Sequence, residues 1–204
     1  MMKGQPMYKS RKVSEKERLE LLAQRKMNSL PWHSPPHFVK KNRIFLITAT
    51  CFEHARIFDA APNRLGEFTP ALLDFLSTSS EKLYLWVVLA NHYHFVAHIL
   101  DLDIFSKQVQ AFHSTTAIAW NKEDKKPGRK IFHSYSDRFM RNERHYWTTF
   151  NYIHNNPVKH GYIKKWQEWR WSSVHHYLEK YGRKKMKEIW YKFPLKNYGK
   201  GWDN

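Results

Sequence analysis

Two strand-like runs lie nearly back to back in the middle of the chain. Residues 83–89 read Leu-Tyr-Leu-Trp-Val-Val-Leu and residues 92–99 read His-Tyr-His-Phe-Val-Ala-His-Ile, with only Ala90 and Asn91 between them. β-Branched and aromatic residues at this density mark strands. The run Ile-Phe-Leu-Ile-Thr-Ala-Thr-Cys-Phe that follows Arg43 is a buried strand by the same criterion. Between it and the pair, Thr69-Pro70 predicts the start of a helix reaching about Lys82, with proline at the first helical position. After the pair, Ile104, Phe105, Val109, Phe112, Thr116 and Ala119 give helical spacing over 103–121, and Pro127-Gly128 ends the following loop. A fourth strand is expected at 130–136 and a last helix at 141–156, stopped by Pro157. The order is β-α-β-β-α-β and then a helix. That is an α+β, ferredoxin-like arrangement, an antiparallel sheet backed by helices on one face. The same order serves many chemistries, so it assigns no function.

The flanks differ from this core. Of the 204 residues, 1–42 carry ten Lys/Arg against three acids and 159–204 carry twelve against four, while 43–158 carry thirteen against eleven. Most of the formal charge of +17 therefore sits outside the core, and it points to a polyanionic partner, nucleic acid or an anionic membrane surface. Aromatics interleaved with the basic residues, at Trp166, Trp169, Arg170 and Trp171, favour nucleic acid, because they can stack bases while the cations neutralise phosphates. Candidate DNA-binding residues are Arg11, Lys12, Arg25 and Lys26 in the first flank and Lys164, Lys165, Arg170 and Trp171 in the second. Ser14 and Glu17 form a capping-box pattern for a short helix at 14–27, and Pro31, Pro35 and Pro36 make the next stretch an extended linker. The expected organisation is a basic arm and Pro-rich linker at 1–42, a catalytic domain at 43–158 and a basic, Trp-rich extension at 159–204. A lone cysteine, Cys51, excludes an intrachain disulfide and a cysteine-based zinc site. With no apolar run long enough to cross a bilayer, a soluble cytoplasmic protein is expected.

The informative segment is Asn91-His92-Tyr93-His94-Phe95. Strand residues two apart share a face, so His92 and His94 can close on one metal ion while Tyr93 points to the other side. His98 shares their face but lies about 13 Å further along and is no ligand of that ion. Two histidines in a strand are more often ordinary residues; a third ligand and a nucleophile on another element change that balance. A helix brings positions i and i+4 together. Of the eleven tyrosines, only Tyr152 has an oxygen-bearing ligand four residues on that suits this role, Asn156. On a helical wheel, Tyr146, Phe150 and Ile153 form an apolar stripe and His145, Thr149, Tyr152 and Asn156 a separate polar one. Tyr152 is thus expected off the core-facing side.

Trp-Val-Val-Leu-Ala-Asn-His-Tyr-His-Phe at 86–95, followed by Tyr-Ile-His-Asn-Asn-Pro-Val-Lys-His-Gly at 152–161, resembles the REP-associated tyrosine transposases, relatives of the single-tyrosine insertion-sequence (IS200-like) transposases. The resemblance extends to Phe-Leu-Ile-Thr-Ala-Thr at 45–50, Tyr-Ser-Asp-Arg-Phe-Met-Arg-Asn-Glu at 135–143 and Trp-Ser-Ser at 171–173, and covers roughly residues 43–178. It implies that His92 and His94 are the HUH metal ligands, Tyr152 the nucleophile and Asn156 a candidate third ligand. It also implies a divalent cofactor, Mg²⁺ or Mn²⁺, and single-stranded and hairpin DNA as substrate, cleaved through a 5′-phosphotyrosine. Two positions depart from the family pattern: Tyr93 stands where an aliphatic residue is usual, and Asn156 where insertion-sequence relatives often have Gln. The rival reading is a non-catalytic nucleic-acid-binding protein on the same sheet; a metallohydrolase using bound hydroxide would cleave without an adduct. No membrane partner is expected, and the sequence leaves open whether the protein acts as a monomer or a homodimer.

Overall fold

In a computed structural model, residues 41–200 are described, together with Ser14, Lys16 and Trp202. The helix expected at 14–27 and the candidate DNA contacts Arg11, Lys12, Arg25 and Lys26 lie outside the described residues. One compact unit spans Lys40–Gly199; a second, Met1–Val39 with Lys200–Asn204, falls almost wholly outside the description. The expected domain boundary at 158 lies inside the first unit.

The elements of that unit are β1 (Lys41–Thr50), α1 (Arg64–Ser79), β2 (Lys82–Val88), β3 (His92–Asp101), α2 (Leu102–Glu123), β4 (Ser136–Phe139), α3 (Glu143–Lys159) and α4 (Val174–Lys192). The four strands form one sheet in the order β2-β3-β1-β4, with every neighbouring pair antiparallel. This is the α+β, ferredoxin-like arrangement that the element order predicts. The inner strands are buried where their apolar runs lie, β3 over most of its length and β1 from Phe45 onward apart from the half-buried Thr48. Among the described residues no helix is long and apolar enough to cross a membrane.

Four expectations need correction. α1 starts at Arg64, so Pro70 lies inside it; the local start signal is Asn63, which takes a left-handed φ of 63° before the first turn. The fourth strand falls at Ser136–Phe139, while residues 130–135 before it form an isolated bridge between Cys51 and Phe132. α3 runs through Pro157 to Lys159 and stops before Gly161, whose φ of 73° suits a glycine. Helices also cover both faces of the sheet. Tyr93 packs against Phe58, Phe68 and His113 on the side of α1 and α2, whereas His92 and His94 meet α3 on the other side.

α4 follows Trp171, whose carbonyl accepts from the Val88 amide, so the chain after α3 is tied to the edge strand β2. Tyr177 on α4 donates its hydroxyl hydrogen to the Tyr84 carbonyl, and the Asn151 amide of α3 donates to the carbonyls of Ile189 and Phe193. These bonds fix α4 against α3 and β2. Beneath the sheet, the buried Arg64 pairs with Asp124 at 2.5 Å and Glu123 at 2.9 Å, joining the start of α1 to the end of α2. One further carboxylate-binding cation, Arg129, shares Asp124, whose carboxyl is held down to about 2 by these guanidinium hydrogen bonds.

Candidate active site

β3 begins at His92 in the sheet interior, and period-two alternation puts His92 and His94 on one face and Tyr93 on the other. Antiparallel register sets Thr48 of β1 opposite His94, and Thr48 Oγ1 lies 2.7 Å from His94 Nδ1. Asn91, in the three-residue link before β3, sits with its Oδ1 2.7 Å from His92 Nδ1. Both outer ring nitrogens are thus held, which aims both Nε2 atoms toward α3. Partners of this kind orient histidines that serve as ligands.

On α3, Tyr152 and Asn156 are one turn apart and face the same side. Asn156 Oδ1 is 3.1 Å from His92 Nε2, and its Nδ2 is 3.4 Å from His94 Nε2. Tyr152 places its hydroxyl 3.5 Å from the same His94 Nε2. The structure therefore brings the four residues singled out in the sequence into one cluster from two separate elements. Asn91 donates its amide hydrogen to the His54 carbonyl at 3.0 Å, which leaves its Oδ1 to accept from His92 Nδ1. At the other side of the ring, His92 Nε2 lies within hydrogen-bond range of the Asn156 carbonyl oxygen, with donor and acceptor roles set by the tautomer. Among the described residues no group of three or more His, Cys, Asp or Glu side chains could hold a metal ion.

The expectation that Tyr152 lies off the core is overturned. Its side chain is 1% exposed, and His92, His94 and Asn156 are fully buried. The polar stripe of α3 is covered by the end of the compact unit. Tyr198 shares a 2.5 Å hydrogen bond with the Thr149 hydroxyl and approaches His145 Nε2 to 3.0 Å. Gly199 lies so close to the Tyr152 ring that a Cβ there would stand 2.1 Å from Cε2. Lys159 donates to the Gly199 carbonyl while its ammonium sits over the Tyr152 ring.

Around this centre lie residues that the sequence did not single out. His160 packs its ring 4.9 Å from that of His92, then meets Tyr162, which stacks on Trp169. Thr48 and Asn91 were visible only as parts of longer motifs, and nothing in the local pattern flagged Gly199. Of the candidate DNA contacts, Lys164 and Lys165 are exposed, as is Arg170, whose guanidinium lies 4.4 Å above the Trp171 ring. Trp171 is partly buried, with its indole edge against Gly66 of α1. His98, as its distance along β3 requires, is elsewhere, with Nε2 2.7 Å from Asn42.

The sequence matches no family model and no curated protein. Among solved structures, the chain is similar to a REP-associated tyrosine transposase bound to a REP hairpin, at 20% identity and a TM-score of 0.56, over 70% of this chain and 84% of that one. A likeness at that identity speaks to architecture, and the conclusion is that this chain has the α+β fold of that transposase.

Proposed function

We propose that the protein is a DNA transposase of the single-tyrosine HUH type, akin to the REP-associated tyrosine transposases, that cuts and rejoins single-stranded DNA through Tyr152. The observation that carries this reading is the convergence of Tyr152 and Asn156 of α3 on the paired histidines of β3: His94 Nε2 lies within 3.5 Å of both the Tyr152 hydroxyl and the Asn156 amide nitrogen, and His92 Nε2 lies 3.1 Å from the Asn156 amide oxygen. Fold likeness to a protein bound to a REP hairpin supports the choice of DNA, with a hairpin as the form to test first.

Tyr152 acts as the nucleophile: its oxygen bonds to phosphorus, the bond to the 3′ oxygen breaks, and that oxygen takes up a proton while the tyrosine loses one. The products are a 5′-phosphotyrosine and a 3′-hydroxyl. Because the adduct keeps a phosphodiester, another 3′-hydroxyl can reverse the step and join strands without ATP. His92, His94 and Asn156 would hold a divalent ion, Mg²⁺ or Mn²⁺; the carbonyl oxygen suits such ions, while imidazole nitrogens favour the softer divalent metals, so the grip on the ion should be weak. A bound ion would supply charge stabilisation at a non-bridging phosphate oxygen. The three ligands carry no charge, so metal and DNA phosphate should bind together more tightly than either alone. Thr48 and Asn91 hold the two imidazoles in the productive tautomer and orientation. In the conformation described, residues 198–199 close over Tyr152, so a phosphate reaches it only when they move.

The test is a labelled single-stranded hairpin incubated with the full chain and Mn²⁺. A denaturant-resistant protein–DNA adduct is expected, absent with Tyr152→Phe and present with Tyr146→Phe. DNA binding by Tyr152→Phe should stay within a few-fold. Binding without an adduct at any Mn²⁺ concentration would leave the non-catalytic nucleic-acid-binding reading, and cleavage without an adduct would indicate a hydrolase.

A further inference from the structure

A cavity of about 340 Å³ opens between α3, the turn at 164–167 and α4. None of His92, His94, Tyr152 or Asn156 lines it. Two indoles, Trp166 and Trp190, contribute to its walls, and both are only partly buried. Neither packs its ring on another aromatic ring among the described residues, in contrast to Trp120, Trp147 and Trp169, which are all engaged. Lys164, Lys165 and Lys187 also line the cavity and are exposed, while no carboxylate does. Asn155, half-buried, adds a carboxamide. The cavity is preformed, because Asn151 behind it is bonded to the carbonyls of Ile189 and Phe193 and fixes α4 against α3.

Sites for small molecules have volumes of roughly 300–1,000 Å³, so this one has room for a single small group and none for a duplex stem. Free aromatic faces, three cations and an amide match what one unpaired nucleotide presents: a base to stack, phosphates to neutralise and a polar edge to read. We propose that this cavity captures one unpaired base of the bound DNA strand, with the flanking phosphates on Lys164, Lys165 and Lys187. The proposal rests on the DNA-processing reading above and deepens it. Asn155 in the cavity and Asn156 in the catalytic cluster are consecutive on α3, where neighbours are separated by a rise of about 1.5 Å. A nucleotide gripped on one side of that helix sets which phosphate of the same strand comes to Tyr152.

The test uses the full chain and a single-stranded oligonucleotide carrying one abasic site, moved position by position, with affinity measured without metal and adduct formation measured with Mn²⁺. One position is expected at which loss of the base weakens wild-type binding by about 5- to 100-fold, the range for one stacked base. At that position Trp190→Ala and Trp166→Ala should erase the penalty, because the base has already lost its platform. Lys187→Gln, an exposed change that leaves packing alone, should lower the salt dependence of log affinity by about 0.7. Asn155→Ala offers a second check should a tryptophan variant fail to fold; it should reduce the preference among bases at that position. If these variants bind, form the adduct and keep the wild-type abasic penalty and salt slope, the cavity proposal is overturned and the transposase reading stands. If wild type shows a base-specific penalty that the variants erase but never forms an adduct, the cavity proposal stands and the catalytic reading falls.

Discussion

Two tyrosine–histidine contacts lie on opposite faces of β3. On one face Tyr93 meets His113 Nε2 at 2.7 Å; on the other, Tyr152 meets His94 Nε2 at 3.5 Å. The tighter pair is the structural one. Tyr93 is enclosed by Phe58, Phe68 and Phe95, and His113 lies flat on Phe132. Burial pushes the Tyr93 hydroxyl up and the His113 imidazole down to about 4, so both stay neutral. The looser pair belongs to a set: a second imidazole, an amide oxygen and two outer partners converge with it. A short hydrogen bond between tyrosine and histidine therefore says little about chemistry, whereas convergence of lone pairs from separate elements says much.

This contrast can be broken in graded steps. His92→Ala or His94→Ala should remove adduct formation at any practical Mn²⁺ concentration, while Asn156→Ala, which deletes a neutral ligand, should be partly rescued by more metal. Equal and unrescued loss in all three, measured by the same gel, would assign Asn156 to helix packing instead. A smaller effect concerns acid stability. His113 is neutral in the folded protein, with its pKa lowered from 6.5 to about 4 by burial, so the stability it contributes is complete above pH 6.5 and lost as pH falls toward 4. The loss is on the order of 3 kcal/mol. Urea melts at pH 7.5, 5.5 and 4.5 should show a shallower decline for His113→Gln than for wild type; parallel declines would show that His113 titrates normally. Smaller again, Tyr93→Phe should cost about 1–3 kcal/mol by leaving His113 without its partner, with DNA cleavage unchanged. A loss of cleavage in a folded Tyr93→Phe protein would mean that the two faces are not independent.

The sheet was legible because β1, β2 and β3 are short apolar runs with few alternatives, and the His-x-His face follows from strand alternation alone. The convergence of Tyr152 and Asn156 was legible because i and i+4 on a helix are neighbours whatever surrounds them. α4 was not, since Gly182 takes a φ of 72° within it and shifts the face on which the next apolar residues fall, so Val174 and Tyr177 do not continue in period to Met186 and Ile189. The start of α1 was hidden by Pro70, a residue usually read as a first-turn signal. Burial of Tyr152 was illegible for another reason. Its cover includes Tyr198, which meets Thr149 across 49 residues, and no local pattern carries information over that span.

That cover has a consequence for every affinity measured on this protein. With Gly199 against the Tyr152 ring, the described conformation covers Tyr152, and under the proposed mechanism the competent population would be the fraction of molecules in which residues 198–199 have lifted. The apparent dissociation constant for a strand engaged at Tyr152 is the intrinsic one divided by that fraction. A side chain at position 199 cannot coexist with the closed state, both because of the 2.1 Å approach and because φ is +75° there. Gly199→Ala should accordingly raise the open population, tightening binding of a strand at Tyr152 by the same factor by which it weakens closure of residues 198–199 over the ring.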